Sequence, residues 1–286
     1  MKLCLKCGEK YESTLLKCPA CNFEYKFIDG FEAYAEKFAE DGGGFEADSF
    51  DHLAQVEEDS FWFRSRNRIL VWMLKKYCTN MSSYLEVGCG TGYVLRAIKE
   101  AFPNVKTYGS EIFIAGLKQA KNRLSDTTLF QMDARKIPYY EEFNVIGAFD
   151  VVEHIKEDKA VFQQMYQALK PGGFVILTVP QHPLLWSQMD VLACHERRYT
   201  RNELQEKLKQ GGFKIVRTTS FVTFLLPMMM IRITKKNRKV EVGEELSLPP
   251  ILDKILEMVM KVELFFIKAG VNFPVGGSRL VLAQKL

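Results

Sequence analysis

A glycine-rich turn and four acids are spaced along this chain as a polar ligand would need them. The turn is Leu85-Glu86-Val87-Gly88-Cys89-Gly90-Thr91-Gly92-Tyr93. Glycines at these places let the backbone pass close to a ligand and swing into a helix, whose N-terminus favours a carboxylate or phosphate. The spacing is G-x-G-x-G with Glu86 before it, and Tyr93 stands where the dinucleotide fingerprint G-x-G-x-x-G continues. Three more acids end apolar runs: Glu111, followed by Ile112; Asp133, followed by Ala134; and Asp150, which opens Asp150-Val-Val-Glu-His-Ile155. A carboxylate at the first place can accept both hydroxyls of a ribose. One at the second can accept an adenine amino group. Any one of these acids alone reads as a solvated end of a strand; four in register after a glycine loop point to a bound molecule.

A second constellation opens the chain. Cys4 and Cys7, then Cys18 and Cys21, form two C-x2-C pairs ten residues apart. Two such knuckles can close four thiolates around a tetrahedral metal, and the segment resembles a zinc ribbon. Gly8 and Asn22 follow the second cysteine of each pair, where a left-handed residue is needed. Iron fits the same four-sulfur geometry. The segment has too few apolar residues for a core, so the metal must supply most of its folding free energy. What the ribbon contacts (nucleic acid, protein or only its own domain) is not written in it.

The elements that must hold these residues follow from hydropathy. Apolar runs over 83–87, 106–111, 127–132, 146–151, 174–179, 213–220 and 279–285 read as strands, and helical patterns separate the first five. Such alternation predicts a doubly wound α/β fold, a mostly parallel sheet with helices on both faces and ligands at the carboxyl ends of its strands. Three stretches surround it. Residues 1–28 are the ribbon. Residues 29–60 are an acidic connector; 31–60 hold ten acids and one base, with Gly42-Gly43-Gly44 as a hinge and Phe31, Tyr34 and Phe38 at helical spacing. Residues 221–277 are an insertion before the last strand. It holds an apolar run from Phe221 to Ile233, the basic residues Lys235, Lys236, Arg238 and Lys239, and a helix over 251–268. The run and its basic cluster suit a peripheral membrane contact through 221–239, a lid over an apolar acceptor in which Met228, Met229 and Met230 adapt to the ligand, or a cap that buries its own apolar side.

With 286 residues and 47% hydrophobic content, the chain can build a large core, and its composition excludes fibrous and disordered classes. No apolar run reaches the ~20 residues of a membrane span, and the N-terminus lacks an apolar signal core, so a cytoplasmic location is expected. The net charge is only +4, yet residues 196–240 hold twelve bases and three acids, a local basic surface that leaves nucleic acid as a partner open but not favoured.

From about Phe61 to the C-terminus the sequence resembles the class I S-adenosylmethionine-dependent methyltransferases. The resemblance rests on LEVGCGTG (85–92), Glu111, Asp133-Ala134, FDVVEHI (149–155) and Leu169-Lys-Pro-Gly-Gly-Phe174. It implies a seven-stranded Rossmann-like sheet with an antiparallel last strand. The implied cofactor is S-adenosyl-L-methionine, with S-adenosyl-L-homocysteine as product, held by Glu86, Gly88, Gly90, Gly92, Tyr93, Glu111, Ile112, Asp133, Ala134 and Asp150. One departure is that the 57 residues of 221–277 separate the last two strands, which form a hairpin in the simplest members. Methyl transfer from a sulfonium is an in-line displacement that needs alignment and a dry pocket, and a base only when the acceptor must lose a proton. His154 is the leading base candidate and His195 the second, against a plain pocket-shaping role. The spacing D-x-x-E-H at Asp150, Glu153 and His154, with His195 later, also resembles the metal-binding E-x-x-E-H of some relatives. Arg197 and Arg198 are anchors for an anionic acceptor or solvated. The leading function is therefore methylation of a small-molecule or lipid-like acceptor. An RNA or protein methyltransferase recruiting through the ribbon, and a non-enzymatic cofactor-fold binding module, are the alternatives. The ribbon is expected to be separable, its loss leaving cofactor affinity nearly unchanged.

Overall fold

In the computed structural model of the protein, which describes residues 1–40, 49–234 and 248–286, the alternating runs become a central sheet. The triple glycine 42–44 and the basic residues 235–239 lie outside the described residues. Two short strands, β1 (Lys2–Leu3) and β2 (Lys10–Tyr11), frame the first cysteine knuckle. A hairpin follows, β3 (Lys26–Ile28) and β4 (Phe31–Ala33), then helices α1 (Ser49–Val56) and α2 (Phe61–Tyr77). The alternating body runs β5 (Ser83–Val87), α3 (Tyr93–Ala101), β6 (Lys106–Glu111), α4 (Ile114–Arg123), β7 (Thr128–Gln131), β8 (Phe143–Phe149), α5 (Asp158–Ala168) and β9 (Leu169–Pro180). It ends with α6 (Gln188–Leu192), α7 (Arg201–Gln210), β10 (Phe213–Phe221), α8 (Leu226–Thr234), α9 (Pro250–Lys268) and β11 (Ser278–Lys285).

The sheet order is β10-β11-β9-β8-β5-β6-β7-β4-β3. All seven expected strands are there, and β11 is antiparallel to both neighbours. The expectation of seven strands needs correcting to nine among the described residues, because the β3–β4 hairpin joins the edge, β4 running parallel to β7. The helical spacing of Phe31 and Tyr34 was thus misleading: Phe31 and Ala33 are buried with Glu32 between them, the period of a strand. The expected boundary at residue 28 falls inside this hairpin. The insertion does not disturb the last pair, since β10 and β11 pair from Phe213↔Lys285 to Phe221↔Ser278.

Strand residues alternate between two cores, as a sheet covered on both faces requires. Tyr84, Val145, Ile176 and Leu282 pack with α2, α3 and α4, while Leu85, Ile146, Val175 and Val281 pack with α5 and α7. Helix α2 has no side-chain cap of its own; the Phe61 amide donates to Asp253 Oδ1 of α9 at 2.6 Å instead. Arg64 reaches Asp253 and Glu257, and Arg68 reaches Glu257, so α9 is bolted across α2.

Candidate active site

The carboxyl ends of β5, β6, β7 and β8 open on one cavity of about 600 Å³. Its walls include Glu86, Gly88, Gly90, Tyr93, Glu111, Ile112, Asp133, Ala134, Asp150 and His154. Position in the fold explains the grouping: an acid at the end of a parallel strand must face the crevice where the chain leaves for a helix.

Each acid is held differently. Glu86 is 2% exposed; burial pushes its carboxyl up to about 8, and Tyr84 donates to it at 3.3 Å. Glu111 is pinned by backbone: Oε2 accepts from Gly90 N–H at 3.0 Å, and Oε1 from Ile112 at 2.7 Å and Phe113 at 3.3 Å. Burial raises its pKa, and those three amides act against the rise. Asp133 is gripped by Arg135, whose Nε lies 3.0 and 3.1 Å from its two oxygens. Asp150 accepts from Arg66 at 2.6 Å and from Thr178 at 3.2 Å, and its φ of +57° is one that side-chain-bearing residues seldom adopt.

The glycines divide by task. Gly88, at φ +67°, meets Val151 so closely that an added Cβ would lie 2.5 Å from Val151 Cγ2. Gly92 is not on the cavity wall; a Cβ there would press on Ala120 at 3.0 Å, so it lets α3 and α4 close up.

The far wall comes from outside the glycine loop. Trp62, Phe63 and Arg66 of α2 line the cavity, together with Met189, Ala193 and Glu196 around α6. The Arg66 guanidinium sits 4.5 Å from the Trp62 ring centre and 5.2 Å from that of Phe63, stacked while it reaches Asp150. Glu57 and Thr91 also line the cavity and are tied to Arg123: Glu57 accepts from Thr91 at 2.6 Å and from Arg123 at 2.5 Å. No local pattern marked this cluster; the aromatic and arginine residues of 61–68 read in the sequence as a candidate pocket lining, but nothing there joined Arg66 to its partner Asp150, 84 residues away.

His154 lines the cavity, and burial lowers its pKa to about 4, aided by the neighbouring His195. His195 stands behind it, ring centres 4.7 Å apart, with Nδ1 2.9 Å from Asp190 Oδ1. Asp190 is fully buried; although burial opposes it, hydrogen bonds from His195 and Arg198 hold its carboxyl well below the usual range. The ligand atoms of Glu153, His154 and His195 lie within 4.8 Å of one another, and both oxygens of Glu153 lack a hydrogen-bond partner. That oxygen-and-imidazole set could hold a divalent ion. Asp150, which the D-x-x-E-H spacing had included, turns to Arg66 instead. Arg198 clamps Asp190 and Arg197 donates to the Ile155 carbonyl at 2.7 Å, so both have work inside the protein. None of the described residues of 221–277 lines the cavity, and Met229 packs at Gly277. Of the readings offered for 221–239, a lid in which Met228–Met230 meet the ligand finds no support among the described residues.

At the N-terminus the four cysteine sulfurs also lie within 4.8 Å of one another, Cys4 and Cys21 at 3.7 Å and Cys7 and Cys18 at 3.6 Å. A tetrahedron of sulfurs about 2.3 Å from zinc has edges of about 3.8 Å, so the arrangement fits. Gly8 and Asn22 adopt φ of +80° and +55°, as the knuckles require.

A family model described as a methyltransferase domain matches residues 50–218, more than half of the 286. A probable S-adenosylmethionine-dependent methyltransferase of Mycolicibacterium smegmatis is 24% identical over 163 residues, 56% of this chain and 62% of that relative. The demethylmenaquinone methyltransferase of Thermotoga maritima is 23% identical over 234 residues, 77% of this chain and 89% of its own length. Among solved structures, phosphoethanolamine N-methyltransferase 2 of Haemonchus contortus, in complex with S-adenosyl-L-methionine, superposes with a TM-score of 0.52 at 20% identity. That match covers 77% of this chain and 52% of the other, so the chain spans only about half of that enzyme. With its strand order, its glycine loop and the family match all agreeing, the chain belongs to the methyltransferase domain family, on the class I S-adenosylmethionine-dependent methyltransferase fold.

Proposed function

We propose that the protein transfers the methyl group of S-adenosyl-L-methionine to a small-molecule or lipid-like acceptor. The observation that carries this is the convergence of the glycine loop, Glu86 and Glu111 on a single cavity of about 600 Å³, within the size range of small-molecule sites. In this reading Glu111, with acceptor capacity left on Oε2, takes the ribose hydroxyls beside Ile112. Asp133, shared with Arg135, and Ala134 flank the adenine. Glu86, Gly88, Gly90 and Tyr93 enclose the methionine end, and Asp150 fixes Arg66 at the border. Gly92 serves by letting α3 start close to α4. When bound, the cofactor supplies an electrophilic methyl group. The chain's own residues align the acceptor against it and exclude water, the work that in-line displacement most needs.

The acceptor side is the wall of Trp62, Arg66, His154, Met189, Ala193 and Glu196, apolar surface with a few polar groups. His154, neutral at physiological pH, is the residue that would accept a proton there. His195, oriented by Asp190, would support it from behind. The named acceptors of the relatives, demethylmenaquinone and phosphoethanolamine, support a small or lipid-like molecule over RNA or protein. The ribbon's four cysteines would hold zinc with no open position for water, a structural site.

Calorimetry with S-adenosyl-L-homocysteine tests the reading. Binding of that product is expected; binding of NAD in its place would sink it. Methyl turnover in an acceptor screen separates an enzyme from a binding module. For an RNA substrate, affinity should fall steeply with salt, and a flat response removes that alternative.

A further inference from the structure

Helix α9 carries three acids, and all of them face inward. Asp253, Glu257 and Glu263 are 7%, 9% and 0% exposed. The first two engage Arg64, and Glu263 accepts from the amides of Thr223 at 2.7 Å and Phe224 at 2.9 Å. Leu256, Met260 and Ile267 complete the inward face. The outward face is the reverse. Ile251, Ile255, Met258, Val262 and Phe265 are 77%, 55%, 67%, 47% and 66% exposed. Their alternating steps of four and three lay them in one stripe along the 19-residue helix. Lys254, Lys261 and Lys268, seven apart, form an exposed row along one edge of that stripe, Lys261 also touching Glu257 at 3.0 Å. Phe266, packed edge-on to the exposed Phe224 at 6.1 Å, widens the apolar surface on the other edge.

An apolar stripe of this size is out of place on a surface that meets only water. Two partners could cover it. A second copy could use the four-three spacing as a seam, but no acid is exposed on α9 to answer the lysine row in either orientation. An anionic bilayer answers both features at once. The apolar side chains enter the boundary between headgroups and acyl chains, while the lysine stems lie along it and their ammonium groups reach lipid phosphates. No helix among the described residues is long and apolar enough to cross a membrane, which leaves lying in the interface as the geometry.

We propose that α9 is a docking surface for an anionic lipid bilayer, its Ile251–Phe265 stripe immersed and its lysine row on the phosphates. This surface is separate from the membrane contact expected from the sequence at 221–239, of which 235–239 lie outside the described residues. The proposal stands apart from the cofactor reading, since none of these residues lines the cavity.

Flotation of the full-length, metal-loaded protein with vesicles tests it. The protein should float with phosphatidylcholine vesicles containing phosphatidylglycerol, weakly with pure phosphatidylcholine, and less as salt rises. Changing Lys254, Lys261 and Lys268 to Gln should weaken partitioning about fivefold per lysine. Ile255→Ser with Phe265→Ser should abolish flotation, while S-adenosyl-L-homocysteine affinity stays unchanged. If the wild type ignores the phosphatidylglycerol vesicles, the proposal is wrong. It is also overturned if sedimentation equilibrium reveals a dimer that the Ile255→Ser, Phe265→Ser variant dissolves, because the face is then a self-interface. Flotation without any S-adenosyl-L-homocysteine binding upholds this proposal while rejecting the cofactor reading.

Discussion

Glu86 and Glu111 occupy the same cavity and should answer to different experiments. Glu111 already accepts three backbone amides, so it is fixed before any ligand arrives. Glu111→Ala should weaken S-adenosyl-L-homocysteine binding by roughly 1–3 kcal/mol, the scale of a lost charge-assisted hydrogen bond, read by calorimetry. Glu86 is instead protonated in the free protein up to about pH 8, because burial disfavours its charge. The native state therefore holds a proton that the unfolded chain would have released, and this group's contribution to stability falls as pH rises from about 4.5 to about 8. A cationic amino group beside Glu86 favours the ionised form, so ligand uptake must expel the proton below pH 8. Affinity should rise with pH over that range, by at most about tenfold per unit, and Glu86→Gln should flatten the slope. An equal slope in both proteins would remove Glu86 from the methionine end. The acids themselves were legible in the sequence because the end of a parallel strand has only one place to point. Their partners were not: Arg66 comes to Asp150 from a helix 84 residues earlier, and the Asp190–His195–His154 stack needs α6 folded back before it exists.

Among the elements, the turn between β5 and α3 is the most tightly specified. Val151, immediately after Asp150, fills the space where a side chain at 88 would go. Gly88→Ala must therefore fight both a 2.5 Å contact and a φ of +67°. The expected loss of stability is about 1–3 kcal/mol from overpacking, with weaker cofactor binding as the loop shifts; thermal melts with and without S-adenosyl-L-homocysteine measure both. Adding Val151→Ala should recover the steric part only, because the backbone cost of a left-handed alanine remains. Full recovery would mean that φ at 88 relaxes freely. The strands of the body were readable because each spans at least four residues, long enough for its apolar pattern to show. The β3–β4 hairpin was not, since three-residue strands show too little of their period and Phe31, Tyr34 and Phe38 happen to fall at helical steps. Helix α9 was visible as periodicity, but its outward stripe was not, because which face looks out depends on Arg64 and Arg68 drawing its acids inward.

For the molecule as a whole, the metal that Cys4, Cys7, Cys18 and Cys21 would hold is the open link between small and large. The ribbon's own core is only Cys4, Tyr11 and Cys18, with Cys21 and Phe23 packed against it, so without metal it should unfold. Spacing alone predicts that the body would not notice. The structure argues otherwise. Leu3 N–H donates to the Pro138 carbonyl at 2.9 Å, and Tyr140 N–H to the Met1 carbonyl at 2.9 Å. Lys2 pairs with Glu32 of β4 at 2.8 Å, and β4 is hydrogen-bonded to β7, two residues short of Asp133. Chelation, or Cys4→Ser with Cys7→Ser, should therefore lower the melting temperature of the whole protein. Loss of about 2 kcal/mol corresponds to roughly 4–8 °C for a body of this size. Cofactor affinity should fall less than about tenfold (about 1.4 kcal/mol), because Glu86, Glu111 and the glycine loop sit at the sheet centre and only Asp133 borders the loosened edge. Scanning calorimetry of the metal-loaded and chelated protein, with metal content measured alongside, decides between the two pictures. A small early transition that vanishes on chelation, with the main transition unmoved, would make the ribbon an independent unit despite its hydrogen bonds to residues 138–140.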